Sequence, residues 1–342
     1  MTKGQGIYDQ NKQLGWALKR TERKLSVQNQ KVVKEFHDHC FSEGLSTVRI
    51  VGYVNRLNKL GEFLGKDFQD SSKQDIENLM GRINQANYSE CSKQAFKVAL
   101  KKFFKWLRKT EEYPEEVKWL KTGIKNSKKK LPEDLLTPAE IRKLIDTAQN
   151  PRDKAFISVL YESGCRISEI GTLEIRNVTF DKQGVVLMVS GKTGDRRVRL
   201  IQSTDLLRIW LSCHPGKTSA HNPLWCSLSN SCKGKPVKYV AFRRILDQTA
   251  QKSGLNTKKV NPHSFRHARA SELANHLTEA QMKEYFGWMQ GSDMAATYVH
   301  QVLCLRDEKE VQVQVLENAG RNSHESNTQA HNRGTRQDLA FS

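Results

Sequence analysis

The stretch VVLMVSGKTGDRRVRLI, residues 185–201, sets two apolar runs on either side of a glycine-bounded turn, in a chain whose apolar residues otherwise recur mostly at helical spacing. It reads as a β-hairpin, with strands Val185–Val189 and Val198–Ile201 joined by Gly191-Lys192-Thr193-Gly194-Asp195. Around it the signals are helical: about 138–149 and 152–163 upstream, then 205–213, 238–252, 263–276, 279–286 and 293–301 downstream. The start of this mixed region is marked by Thr137-Pro138-Ala139-Glu140, a Thr N-cap with Pro at N1 and Glu at N3. The expected fold is mainly α with a small antiparallel β-sheet.

Upstream, Val32, Val33, Phe36 and Cys40 mark one helix and Ile50, Val54, Leu57, Leu60 and Leu64 the next. A third holds Ile76, Leu79, Met80 and Ile83, and a fourth Phe96, Ala99, Leu100, Phe103, Phe104 and Leu107. Residues 25–110 are therefore expected to form a four-helix bundle, preceded by a loose polar arm over 1–24. Residues 111–134 mix an acidic patch, two prolines and the run Lys128, Lys129, Lys130, and read as a linker. The second domain is expected over 135–305. The tail 306–342 is expected to be partly disordered, rich in polar residues beyond Asn318. Within 305–317, Val311, Val313, Val315 and Leu316 suit either an added strand or short helix on a partner subunit, or a frayed end.

The chain has 342 residues, with 56 Lys+Arg against 37 Asp+Glu, a net charge of +19 and a pI near 9.6. No apolar run is long enough to cross a bilayer, and the N-terminus lacks the apolar core of a secretory signal. Seven cysteines without a CxxC fit a reducing compartment rather than a disulfide scaffold. The nearest approach to a metal cluster, Cys213, His214, His221, Cys226 and Cys232, matches no zinc spacing, so no metal is expected. Residues 1–130 carry 27 basic and 15 acidic side chains, and residues 131–305 carry 24 and 16. A basic surplus on both domains predicts a polyanionic partner, nucleic acid first. Lys97, Lys101, Lys102 and Lys105 on the fourth helix, with Lys128–Lys130, are the candidate backbone contacts.

Four separated motifs in the second domain combine into one chemistry. They are Ser163-Gly164-Cys165-Arg166-Ile167-Ser168-Glu169, the hairpin tip with Lys192, Pro262-His263-Ser264-Phe265-Arg266-His267, and Phe286-Gly287-Trp288 followed by Tyr298-Val299-His300. Singly, each has an ordinary reading as a cap, a soluble turn or a core aromatic. Together they supply two guanidiniums, a lysine, a histidine and a phenol, a set suited to phosphoryl transfer without a metal.

In these motifs, and in their order Arg, Lys, His-x-x-Arg, Trp, Tyr, the chain resembles the tyrosine recombinase (phage integrase) family over roughly 26–305. The hairpin and the Gly-Trp-x-x-Gly-Ser-x-Met ending resemble its archaeal branch. The resemblance implies a core-binding bundle, SAM-like, that grips one face of DNA while an integrase-like catalytic domain grips the other. It also implies that Arg166 and Arg266 hold the scissile phosphate, Lys192 protonates the departing 5′ oxygen, and His263 helps manage the attacking proton. Tyr298 would be the nucleophile and Trp288 would stand where many members carry a second histidine, its indole N–H a donor. The gap from Trp288 to Tyr298 is ten positions, one more than the commonest spacing. Glu169, His267 and His300 are expected to support these groups.

The expected activity is site-specific DNA recombination through a 3′-phosphotyrosyl link, integrating or excising a mobile element, with no cofactor and no ATP. The expected partners are double-stranded DNA and three further copies of the chain in a tetramer on two sites, the free protein being a monomer or weak oligomer. The expected location is the cytoplasm, at the nucleoid, or the host cytoplasm for a virus-encoded protein. A type IB topoisomerase and a non-catalytic DNA-binding accessory protein are the alternatives.

Overall fold

The computed structural model describes residues 6–123, 134–191 and 194–299. Lys192, His300, Lys128–Lys130 and the segment 305–317 lie outside the described residues. The chain divides into two compact units, Tyr8–Lys130, and Leu131–Ser342 together with Met1–Ile7.

In the first unit the expected helices are α2 (Val27–Ser42), α3 (Thr47–Leu64), α4 (Lys73–Gln85) and α5 (Glu90–Leu107). Ser26, Ser72 and Ser89 cap α2, α4 and α5 through their side-chain oxygens, and Gly65 ends α3 in the left-handed conformation. The apolar stripes meet in one core in which Phe36, Ile50, Leu57, Phe68, Phe103 and Phe104 are fully buried. Phe103 stands edge-on to both Phe36 and Phe68, with centroids 5.2 and 4.9 Å apart.

Two stretches read as loose are built into this unit. Gln10–Lys24 is a helix, α1, inside the expected polar arm. Its apolar stripe is thin, and its docking on α3 is half polar: the Thr21 hydroxyl donates to Asn58 Oδ1 at 2.8 Å, and Asn58 Nδ2 donates to the Ala17 carbonyl at 3.0 Å. A pattern search for apolar periodicity passes over such a helix. Past α5, the short α6 (Glu115–Lys118) folds back, burying Val117 and Leu120 in the same core while Arg108 Nε pairs with Glu116 at 2.8 Å. The opening of the expected linker is thus part of the bundle.

The second unit opens at α7 (Pro138–Thr147) with the Thr137–Glu140 capping box in place. Helix α8 (Pro151–Ser163) is buried on every side and packs against α7, α10 (Thr204–Ser212), α12 (Pro262–Leu273) and the sheet. The sheet has three antiparallel strands, β1 (Val178–Asp181), β2 (Gly184–Gly191) and β3 (Gly194–Leu200), in the order β1-β2-β3. Val185, Leu187 and Val189 point into the core together with Val198 and Leu200. Strand β1, a four-residue edge strand with half its residues exposed, was not anticipated; it is too short for alternation to register. Helices α9 (Ile167–Gly171), α11 (Tyr239–Lys252), α13 (Glu279–Phe286) and a final helical stretch over 294–299 complete the unit. No helix among the described residues is long and apolar enough to cross a membrane.

Candidate active site

Helix α8 ends at Gly164, whose φ of +56° is a left-handed cap. Any side chain there would also strike Phe286, since a Cβ would lie 2.4 Å from its ring. The chain turns at once into Cys165 and Arg166, and Arg166 is the N-cap of α9. Glu169 fixes it twice, accepting from the Arg166 backbone N–H at 2.8 Å and from its Nη1 at 3.0 Å.

Glu169 itself is 1% exposed and could not stay charged on Arg166 alone. Arg196 of β3, also largely buried, donates Nη1 and Nη2 to it at 3.1 and 2.9 Å. Burial pushes the Glu169 carboxyl up, but the bonds from Arg196 and Arg166 outweigh it and hold the group below the usual range. Gly191, near the end of β2, lets the hairpin approach this carboxylate: a Cβ there would stand 2.4 Å from Glu169 Oε1. The hairpin that carries Lys192 is thereby tied to the helix that presents Arg166.

Helix α12 is capped by Asn261, whose side chain accepts from the N–H groups of His263 and Ser264. Arg266, 8% exposed, donates Nη1 to the Gly164 carbonyl and Nη2 to the Phe286 carbonyl, each at 2.8 Å. Its guanidinium lies 5.1 Å from the Phe286 ring centroid and 5.5 Å from that of Trp288. Burial and then the neighbouring Arg166 charge pull it down to about 10, so it remains a cation at neutral pH. Two guanidiniums held this close, one desolvated, form a site whose electrostatic strain an anion relieves.

Tyr298 lies on the last helical stretch, 6% exposed, its ring stacked on Trp288 with its hydroxyl against His267 Nδ1. Burial pushes the phenol up to about 12, with the Arg266 charge pulling the other way. Arg166, His263, Arg266, His267, Trp288 and Tyr298 line one cleft of about 540 Å³. Motifs separated by more than 130 residues of chain therefore meet around a volume large enough for a phosphodiester and its sugars.

Residues 134–302 match the model of the phage integrase family. Tyrosine recombinase XerD of Vibrio cholerae is 25% identical over 282 residues, covering 80% of this chain and 91% of its own. Tyrosine recombinase XerA of Pyrococcus horikoshii is 28% identical over 250 residues, covering 72% and 81%. Residues 134–302 form a domain of the phage integrase family. Among solved structures, the post-cleavage complex of XerH site-specific recombinase with palindromic difH substrate shares the fold at a TM-score of 0.63 and 18% identity, covering 89% of this chain and 98% of that one. A lambda integrase dimer bound to a COC′ core site gives 0.63 at 15% identity, covering 82% and 79%.

In this domain the cleft gathers six of the nine catalytic and supporting residues expected from the sequence, and Glu169 sits directly behind Arg166. The other two, Lys192 and His300, lie outside the described residues. Arg196 was not singled out from the sequence. Its signal, one more arginine in a basic hairpin, becomes specific only when Glu169 is found opposite it. Tyr285, the other tyrosine near the motif, donates its hydroxyl to the Glu162 carbonyl at 2.5 Å and is turned away from the cleft into structural use.

The bundle lysines divide. Lys101, Lys102 and Lys105 line a separate hollow of about 860 Å³ in the first unit, together with Lys109, His39 and Tyr113, and Lys97 is not among its lining residues. Lys102 is engaged by Glu43 at 2.7 Å, and Lys101 stands 4.2 Å above the Tyr113 ring while donating to the Leu120 carbonyl. Among the described residues no group of three His, Cys, Asp or Glu is placed to hold a metal. His214, from the cysteine-histidine region, has its ring nitrogens facing the Pro223 carbonyl and the Gly216 N–H.

Proposed function

We propose that this chain cleaves and rejoins DNA at specific sites, with Tyr298 as the nucleophile and a 3′-phosphotyrosyl link as the intermediate. The observation that carries the reading is the convergence of Arg166, His263, Arg266, Trp288 and Tyr298 on one cleft. A scissile phosphate seated there takes hydrogen bonds on its non-bridging oxygens from the two guanidiniums, whose planar forks suit that geometry. The indole N–H of Trp288 adds a third donor. Attack by the Tyr298 oxygen forms the P–O bond to tyrosine and breaks the bond to the 5′ oxygen, which takes its proton from Lys192. The ester energy stays in the tyrosyl link, so rejoining needs no nucleotide and no cofactor.

Both units carry a basic surplus, and each is assigned a share of the DNA backbone, with the core-binding role over 25–110 and catalysis over 135–305. The bundle hollow with Lys101, Lys102 and Lys105 supports that division. At the finer level, the reading is a mobile-element integrase of the archaeal branch, acting in the cytoplasm as a tetramer on two sites, with Glu169 positioning Arg166. The test is a nicked suicide substrate. The full chain should become covalently attached to DNA, and Tyr298→Phe should bind the same DNA without attachment. A pair of site-bearing plasmids separates the alternative chemistry, since a type IB topoisomerase yields topoisomers and no recombinants.

A further inference from the structure

Tyr298 carries a chemical problem. Its phenol is pushed up to about 12 by burial, yet its oxygen must lose a proton as it attacks phosphorus. Lys192 is assigned to the other end of the reaction, and Arg166 and Arg266 are cations that cannot accept a proton. Among the described residues, the group on the phenol oxygen is His267, whose Nδ1 is hydrogen-bonded to the Tyr298 hydroxyl, from α12 across to the last helical stretch. The indole of Trp288 lies parallel to the Tyr298 ring at 5.7 Å between centroids, holding the phenol in this orientation.

We propose that His267 is the proton acceptor of the cleavage step, a role that rests on Tyr298 being the nucleophile. The neutral imidazole, protonated at Nε2, accepts the phenolic proton at Nδ1 as the Tyr298 oxygen forms its bond to phosphorus. The 5′ oxygen departs and is protonated by Lys192. In rejoining, the 5′ hydroxyl attacks, the Tyr298–phosphorus bond breaks, and the imidazolium returns its proton to the leaving phenolate. His263 lies one turn earlier on the same helix face and nearer the solvent, placed to act on the phosphate rather than on the buried phenol oxygen. Among the described residues, the charged and titratable groups facing the pair are Arg166 from the α8–α9 junction and His263 and Arg266 from α12. The turn before the last helical stretch lines the cleft with uncharged residues, and the Tyr285 phenol belongs to the apolar cluster behind it.

The experiment is single-turnover adduct formation by the full chain on a nicked suicide substrate between pH 5.5 and 8.5, at saturating protein. Wild type should slow as pH falls through the histidine range, because an imidazolium cannot accept. His267→Gln keeps a hydrogen-bond acceptor without a base. It should lose about 10²-fold at pH 7.5, the lower end of a general base's contribution, and its log rate should fall by one unit less per pH unit than wild type on the acid side. A merely structural role lowers the rate equally at every pH and leaves the slope unchanged, which overturns the proposal, as does a wild-type rate at pH 7.5. Should His267→Gln fail to fold, ¹⁵N-histidine spectra of wild type and Tyr298→Phe decide instead. One Nδ1 resonance should shift on loss of the phenol, and an unmoved set overturns the proposal. Tyr298→Phe in the adduct assay separates the layers. A surviving adduct removes the nucleophile assignment itself, whereas no adduct with an unchanged His267→Gln slope removes only the role of His267.

Discussion

Trp288 and Tyr298 stack with their planes 1° apart and their centroids separated by 5.7 Å, and Phe286 continues the pile on the far side of the indole at 4.8 Å. The ten-residue gap between the two is thus accommodated with the Tyr298 ring against the Gly-Trp turn. A tryptophan at this position covers the tyrosine as well as offering an N–H.

Replacing Trp288 by Ala should remove the stack along with the donor. The ring–ring part is worth about 0.5–1.5 kcal/mol, so thermal stability should fall modestly while adduct formation falls much further. Trp288→His keeps a donor and loses most of the stacking area. It should recover part of the rate and little of the stability, measured by single-turnover cleavage and by denaturant melts on the same preparations. Equal rates for the two variants would remove the donor role.

A substrate with sulfur in place of the 5′ leaving oxygen distinguishes the assigned roles. A thiolate departs without protonation, so this substrate should rescue Lys192→Ala and leave Tyr298→Phe inactive. Arg166→Ala and Arg266→Ala should gain little, since their defect lies in charge on the non-bridging oxygens. Rescue of the arginine variants to the level of Lys192→Ala would show that the assignments are wrong.

The Glu169–Arg196 pair should dominate the stability of the site. Arg196→Ala strands a buried carboxylate and should cost about 3–5 kcal/mol in urea unfolding. Because the Glu169 carboxyl is held below its ordinary value of 4.5, its contribution is full above that pH and is lost as pH falls through the lower folded value. The stability difference between wild type and Glu169→Gln should therefore shrink on acidification from pH 7 toward pH 3. A constant difference across that range would assign the pair no electrostatic role.

Binding to a DNA duplex should weaken steeply with salt, since neutralising six to ten phosphates predicts a loss of about 10³–10⁵ between 50 and 200 mM. Removing Lys101, Lys102 and Lys105 together should lower both the affinity and the slope. A triple variant with an unchanged slope would take the bundle hollow out of the interface.

The apolar periodicities and the capping box at Thr137 were enough to locate nearly all the long helices, because those signals are local and each helix has a wide apolar face. Helix α1 escaped that reading because its attachment is made by Thr21 and Asn58, and a polar contact between residues 37 positions apart leaves no mark on periodicity. The same distinction runs through the site. Arg166, His263, Arg266, Trp288 and Tyr298 are legible in sequence because their residue types, and the order in which they occur, resemble the motifs of the tyrosine recombinase family. Whether they could act together was decided only by folding, which brings Gly164, Phe286 and Arg266 into one contact and seats Arg196 on Glu169. A buried charge needs a partner, and which partner it finds depends on strand register and helix packing that sequence spacing does not encode. The contact between His267 and the Tyr298 hydroxyl belongs to that second kind. A histidine beside an arginine on a helix is ordinary in a sequence, and it becomes a candidate base only when a helix from the far end of the domain lays a phenol against its ring nitrogen.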